Sequence, residues 1–293
     1  MITVENLPRF GNLPIITIAN KSAKAQISLM GAHALSFIPV GGEELLFTSK
    51  KSNFEEGKPI RSGIPVCWPW FSGNSVYGVE KEPPKHGFAR LKMWKLVSQS
   101  ESKNGDYSEV TLQLDVEPND FWPGEALLSI RFGVGKCFTI DTRTVNCSDK
   151  PLILTQALHT YFNVGEVEKI AVTGFEGRTY RETATSFAHP EYLQQQGAIT
   201  VASEVDRVYE NCANDVAIED PVFKRRIKIT KGGSNVYVVW NPWIKKANEM
   251  PDFGDDEYHK MFCVESVNAF SDRIELQPGA AHVLSTGYTI EAL

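Results

Sequence analysis

Cysteine is scarce and odd in number: Cys67, Cys137, Cys147, Cys212 and Cys263 are the only five in 293 residues. No CxxC occurs and no Cys stands near a His at zinc-ligand spacing, which excludes a disulfide framework and a zinc finger or ribbon and fits reduced thiols in a cytoplasm. Most of these thiols sit in apolar contexts such as VCW and FCV, where Cys serves as a small hydrophobe; no chemistry is assigned to them. Long apolar runs are missing too. Nowhere do about 18 apolar residues follow one another, and the start MITVENLPRF has no charged segment leading into an apolar one, so a soluble, unexported chain is expected. On the same ground the acceptor pattern Asn146-Cys147-Ser148 is discounted as a glycosylation site. There is no basic block: 30 Lys and Arg stand against 36 Asp and Glu, a net charge of -6, which argues against nucleic acid as a partner. GxGxxG, Walker, GxSxG and HExxH patterns are absent, so dinucleotide, P-loop and hydrolase readings lose their usual support. No sustained 3.6-residue stripe, heptad or solenoid-period repeat is present, and 22 Gly and 16 Pro are spread along the chain.

What the chain does have is alternation. Apolar and polar residues alternate in IITIA (15–19), AQISLM (25–30), HALSFIP (33–39), YSEVTLQLDV (107–116), EALLSIRFGV (125–134), CFTIDTRTV (137–145) and LILTQALHTYF (152–162). The pattern resumes in VAIED, RRIKIT, NVYVVW, MFCVESV and AHVLSTGYTI. Turn clusters such as SKNGD, EPND and CSDKP separate these runs. Two turns of helix are expected over residues 243–250 and one over 53–58. An all-β protein follows, with antiparallel sheets packed face to face in a large sandwich, few short helices, and a single domain over residues 1–293. Residues 49–90, 179–211 and 241–260 break the alternation and read as long loops, which inside a compact domain are usually functional.

The first of these loops concentrates Trp68, Trp70, Phe71 and Phe88 with Arg61, His86 and Arg90. Rings beside fixed polar groups suit a sugar, whose C–H faces stack while its hydroxyls hydrogen-bond; rings that only pin the loop to the core explain the aromatics equally well. Two arginines on one loop can converge on a phosphate or carboxylate. His159 lies on the strand face of Ile153, Thr155, Ala157 and Tyr161, where a core histidine is the ordinary reading. Glu265, in a strand apolar on both faces, needs a partner or a job, because an unpaired carboxylate there costs several kcal/mol; an arginine, Ser266 or Asn268 would be the ordinary partner. Asp206 and Arg207 should face opposite ways, which argues against a surface ion pair between them. The acidic run 253–257 lacks the spacing of a calcium loop and reads as solvated.

Taken together, RSGIPVCWPWF, KHGFAR, ALHTYFNVG, DRVYEN, VVWNPW and DFGDDEYHKMFCVES, in that order, resemble the aldose 1-epimerase superfamily and its hexose-6-phosphate mutarotase branch. The resemblance covers nearly the whole chain. It implies a galactose mutarotase-like supersandwich acting without metal or organic cofactor on a small hexose 6-phosphate, with no nucleic acid or membrane partner, as a cytoplasmic monomer. It also implies roles: His159 as general acid, Glu265 as general base, Asp206 on a sugar hydroxyl, and Arg61, His86 and Arg90 on substrate and phosphate. Ser62 departs from the Gly usual there, a small residue in either case.

The chemistry calls for such residue types independently. Exchanging anomers requires taking the proton from the C1 hydroxyl and giving one to the ring oxygen. A carboxylate and an imidazolium in one cleft would hold each other's charge. Competing readings are a sugar-binding module, which needs the aromatics without an acid–base pair, and a polysaccharide lyase or hydrolase on a similar sandwich, a glycosidase typically pairing two carboxylates, for which Asp206 is the possible second. A mutarotase of free aldoses is the third.

Overall fold

The computed structural model describes residues 1–73, 83–186 and 188–293. Strands dominate the described residues, and every pairing between named strands is antiparallel. A four-stranded sheet holds Ile2–Asn6, Pro14–Ala19, Ala23–Ser28 and His33–Pro39 in sequence order. An eight-stranded sheet runs from Lys95–Glu101 through Ser108–Val116, Ala126–Val134, Cys137–Asn146, Ala281–Ala292, Arg225–Gly232 and Val216–Asp220 to Ala171–Thr173. Its strands bury alternate residues, the signature of one wet and one dry face.

The other eight-stranded sheet carries the site. Its strands are β1 (Val66–Cys67), β2 (Gln156–Leu158), β3 (Tyr161–Asn163), β4 (Thr179–Glu182), β5 (Glu191–Gln194), β6 (Val205–Tyr209), β7 (Val236–Asn241) and β8 (Met261–Asn268). The order is β5-β4-β6-β7-β8-β2-β1, and β3 also pairs with β8. Every residue of β8 is buried. Its period of two sends Phe262 and Val264 into the largest apolar cluster, shared with Ile227, Ile229 and Tyr288 of the second sheet, and sends Cys263, Glu265 and Val267 to the opposite face. The sandwich expected from the alternation is therefore the one that forms.

Three local expectations change. Residues 152–162 are not one strand: Leu152–Leu154 pairs with Ile274–Leu276 in a separate two-stranded ribbon, and β2 and β3 pair with β8 on either side of His159 and Thr160. The ladder opens there because the His159 and Tyr161 amides donate to the carbonyls of Pro65 and Gly63 instead. Residues 53–58 form turns without a helix, with Gly57 at φ 76°. Residues 179–211 are not one long loop, since β4, β5 and the whole of the site strand β6 lie within them. The helix expected near the end of β7 does form, as Trp243–Glu249.

Candidate active site

Register brings the acid and base candidates together. Leu158 faces Ser266 and Tyr161 faces Cys263, so one unbroken register sets His159 across from Glu265. Residues directly opposite in an antiparallel pair share a face. Following that face outward, β7 adds Val238 beside Glu265 and Trp240 beside Cys263, and β6 adds Asp206 beside Trp240. The apolar part of this surface is a cluster of Cys67, Ala157, Val208, Val236, Val238 and Val267, so the polar groups stand on a dry floor.

His159 Nδ1 lies 3.4 Å from Glu265 Oε1, with the two side chains 12% and 2% exposed. The alignment is too poor for a hydrogen bond, and among the described residues neither His159 Nδ1 nor Glu265 Oε2 has another partner. None of the ordinary partners expected for Glu265 is there: Ser266 and Asn268 face the other way, Asn268 bonding Gln156, Gly233 and Asp272. Burial, then the charge of Asp206, pushes the Glu265 carboxyl well above the usual carboxylate range. Burial, then His86, Arg61 and Arg90, pushes His159 well below the ordinary imidazole value. Both shifts run against the expected self-supporting imidazolium–carboxylate pair: each group is pushed toward its neutral form, because neither is solvated and two arginine charges repel a third cation. Stacking on Tyr161 (ring centroids 4.8 Å apart, 5° between planes) and the edge of Trp240 fix the His159 ring.

The loop that carries β1 supplies the cations. Arg61 Nε and Nη2 donate to Asp252 Oδ1 at 3.3 and 3.2 Å, and Nη1 to the Tyr161 hydroxyl at 3.0 Å. Tyr161 and Asp252 together hold this guanidinium firmly protonated. Three of its five N–H bonds are thereby used, leaving two for a ligand. Asp252 thereby braces Arg61 across the cleft. Arg90 Nη2 donates to the Lys85 carbonyl at 2.6 Å, while its buried Nε has no partner among the described residues. Burial lowers the Arg90 pKa and the Arg61 charge acts the same way, as expected when two guanidiniums converge.

His86, between them, accepts a hydrogen bond from the Ser72 amide at Nδ1 (3.2 Å), which places the proton of the neutral ring on Nε2. Burial and the charges of Arg90, Arg61 and Lys85 push its pKa down to about 3, so the ring is a neutral donor. Two glycines let the loop approach the core this closely. A Cβ on Gly63 (φ 53°) would stand 1.9 Å from the Ala34 carbonyl oxygen, and one on Gly87 (φ 73°) 2.0 Å from that of Trp68.

The aromatics divide. Trp68, Trp70 and Phe88 are core, with Trp68 Nε1 bonded to Thr144 and Trp70 Nε1 to Pro84. Phe71 remains half-buried against His86, 5.2 Å between centroids, and belongs to the cleft. Asp206 accepts from Thr183 (2.8 Å) and lies 3.7 Å from Lys246, while Arg207 turns to Glu182 and Gln195, so the two adjacent residues do face apart. Sequence reasoning missed Asp252, Tyr161 and Trp240 as site residues. Tyr161 carried the signal of its shared strand face with His159; Asp252, just before an acidic run read as solvated, carried none.

One ligand atom each from His159, Cys263 and Glu265 lies within 4.8 Å of the others, the trio in this cleft with the donors to hold a cation. A surface cavity of about 540 Å³ lined by Phe88, Lys92 and residues 114–121 holds none of these groups.

The family model for aldose 1-epimerase matches residues 14–289. A protein of Escherichia coli K12, provisionally named a glucose-6-phosphate 1-epimerase, is 34% identical over 275 residues, 94% of this chain and 90% of that one. A plant protein with the same provisional name, from Cenchrus ciliaris, is 35% identical over 87% of this chain and 78% of its own length. Among solved structures, one described provisionally as a mutarotase of Salmonella typhimurium superposes with a TM-score of 0.88 at 30% identity, covering all of this chain and 94% of the other. A galactose mutarotase-like protein of Clostridium acetobutylicum, 18% identical, shares the fold with a TM-score of 0.79, covering 100% and 99% of the two chains. With its sandwich, its cleft on one sheet face and a family match across nearly its whole length, the chain belongs to the aldose 1-epimerase family.

Proposed function

We propose that the protein is a glucose-6-phosphate 1-epimerase, exchanging the α and β anomers of a hexose 6-phosphate by acid–base ring opening. The observation that carries this reading is a buried acidic side chain, Glu265, whose Oε2 has no hydrogen-bond partner among the described residues, facing His159 at 3.4 Å beside Arg61 and Arg90.

In the proposed reaction Glu265 takes the proton of the C1 hydroxyl as His159 delivers one to the ring oxygen. The C1–O5 bond breaks and an aldehyde forms, C1 turns, and closure on the other face returns both protons. His86 Nε2–H and Asp206 hold sugar hydroxyls, and Arg61 and Arg90 hold the phosphate. The phosphate does more than anchor: carrying a charge of about -1.5 to -2, it offsets the arginine charges that hold His159 down and so favours the proton on the imidazole. Only proton transfers are required, so the reading includes no metal and no organic cofactor. It takes residues 1–293 as a single domain, supported by the family match over residues 14–289. It keeps a cytoplasmic monomer acting on a free metabolite; among the described residues no helix is long and apolar enough to cross a membrane.

The test is exchange spectroscopy or polarimetry on freshly dissolved glucose 6-phosphate, with a glucoside as counter-substrate. Catalysed anomer exchange supports the epimerase; glycoside turnover supports a hydrolase, and binding of sugar with no exchange supports a binding module.

A further inference from the structure

The proposed reaction leaves one group in the cleft without a task. Cys263 stands two residues before Glu265 on β8, so both side chains project from the same face, and the Cys263 thiol is packed between the cross-strand neighbours Tyr161 and Trp240. Proton transfer at C1 and O5 uses no thiol. Yet the sulfur, one His159 nitrogen and one Glu265 oxygen lie mutually within 4.8 Å, and Glu265 Oε2, on a side chain 2% exposed, has no hydrogen-bond partner among the described residues.

We propose that His159, Cys263 and Glu265 form a binding site for a thiophilic divalent cation of the zinc class, and that such an ion inhibits the protein by occupying its acid–base pair. Zinc bonds of about 2.0–2.3 Å in a tetrahedron separate neighbouring ligand atoms by roughly 3.3–3.8 Å. The His159–Glu265 pair already meets that spacing at 3.4 Å, and closing the remaining distances takes side-chain rotations of about an ångström. An imidazole nitrogen, a thiolate and a carboxylate oxygen make three protein ligands with the fourth position open to water. The thiolate and imidazole select zinc or cadmium over magnesium or calcium, which take oxygen donors. On binding, the Cys263 sulfur–hydrogen bond gives way to a sulfur–metal bond and the Glu265 carboxyl oxygen–hydrogen bond to an oxygen–metal bond, and both protons leave to solvent; nothing is oxidised or reduced. With both proton-transfer groups ligated, sugar and ion exclude each other. The ion site stands on the geometry alone, whereas its inhibitory effect rests on the proposed epimerase reading.

The experiment separates the two. Metal-free protein is titrated with Co²⁺, following the sulfur-to-cobalt charge-transfer band, and with Zn²⁺ by calorimetry; anomer exchange is measured with and without Zn²⁺. Wild type, Cys263→Ser, Cys263→Ala and the exposed-thiol control Cys147→Ser are compared. Expected are one ion per chain with a charge-transfer band in wild type and Cys147→Ser, and loss of the band in both Cys263 variants. Zinc inhibition should weaken at least tenfold in the Cys263 variants while their metal-free rate stays within about twofold of wild type. Absence of the band in wild type, or its persistence in Cys263→Ala, overturns the ion site. A band in wild type without anomer exchange leaves the site standing and defeats the epimerase reading instead.

Discussion

Replacing Arg90 by alanine should cripple the enzyme on a sugar phosphate and spare it on the free sugar. Among the described residues Arg90 gives one hydrogen bond, to the Lys85 carbonyl, and its Nε gives none, so alanine strands little beyond an acceptor that water can reach. A charge-assisted contact to phosphate contributes about 1.5–3 kcal/mol. At 1.4 kcal/mol per factor of ten, kcat/KM for glucose 6-phosphate should fall roughly 10- to 150-fold, mostly through KM, because the phosphate is remote from C1 and keeps its charge in the transition state. Arg61→Ala should behave differently. It removes the hydrogen bonds that Arg61 donates to Asp252, 11% exposed at its side chain, and to the buried Tyr161 hydroxyl, and each group left unsatisfied costs about 1–3 kcal/mol. Tyr161 also stacks on His159. The Arg61 variant should therefore lose activity on glucose as well and melt several degrees earlier. The assay is kcat/KM for glucose 6-phosphate and glucose in both variants, with melting curves alongside. Equal losses on the two sugars in Arg90→Ala, at an unchanged melting temperature, would refute the phosphate assignment and return the protein to a mutarotase of free aldoses.

Glu265→Gln and His159→Asn should each lower the exchange rate about 10²- to 10⁴-fold without lowering the melting temperature, with the double variant little worse than the worse single one; wild-type turnover in either variant refutes that residue's role. Acid should destabilise the fold through His33, whose buried ring, donating Nε2–H to the Ser62 carbonyl beside Arg61, has its pKa lowered to about 4, burial being the main cause. The unfolded chain then binds the extra proton first, so stability present above about pH 6.5 is lost as pH falls toward 4, by up to about 3 kcal/mol. Melting temperatures between pH 7 and pH 4.5 should trace that loss, and His33→Gln should flatten it; identical slopes would remove His33 as the cause. Chelator or added nicotinamide cofactor should leave the exchange rate of metal-free protein unchanged, and a loss restored by one specific metal would contradict a reaction made of proton transfers alone.

The sequence by itself determined the class of fold and the chemistry within reach. Alternation in 107–116, 125–134 and 137–145 needs only the two-residue period of a strand, a local property, and these runs became neighbouring strands with alternate residues buried. Glu265 was conspicuous for a similarly local reason: a carboxylate amid Phe262, Cys263, Val264 and Val267 must be answered by something. What answers it is not local. His159 meets Glu265 only because β2 and β3 share one register on β8, and the break that exposes the histidine comes from residues 63–65, nearly a hundred positions away along the chain. Asp252 was invisible for the same reason, as its partner Arg61 lies 191 positions off. Both groups are pushed toward their neutral forms because pKa values depend on desolvation and on the summed field of Arg61, Arg90, His86 and Asp206, and a sequence specifies neither depth nor distance. Periodicity fixes which way a side chain faces; only the assembled sheet decides what it faces.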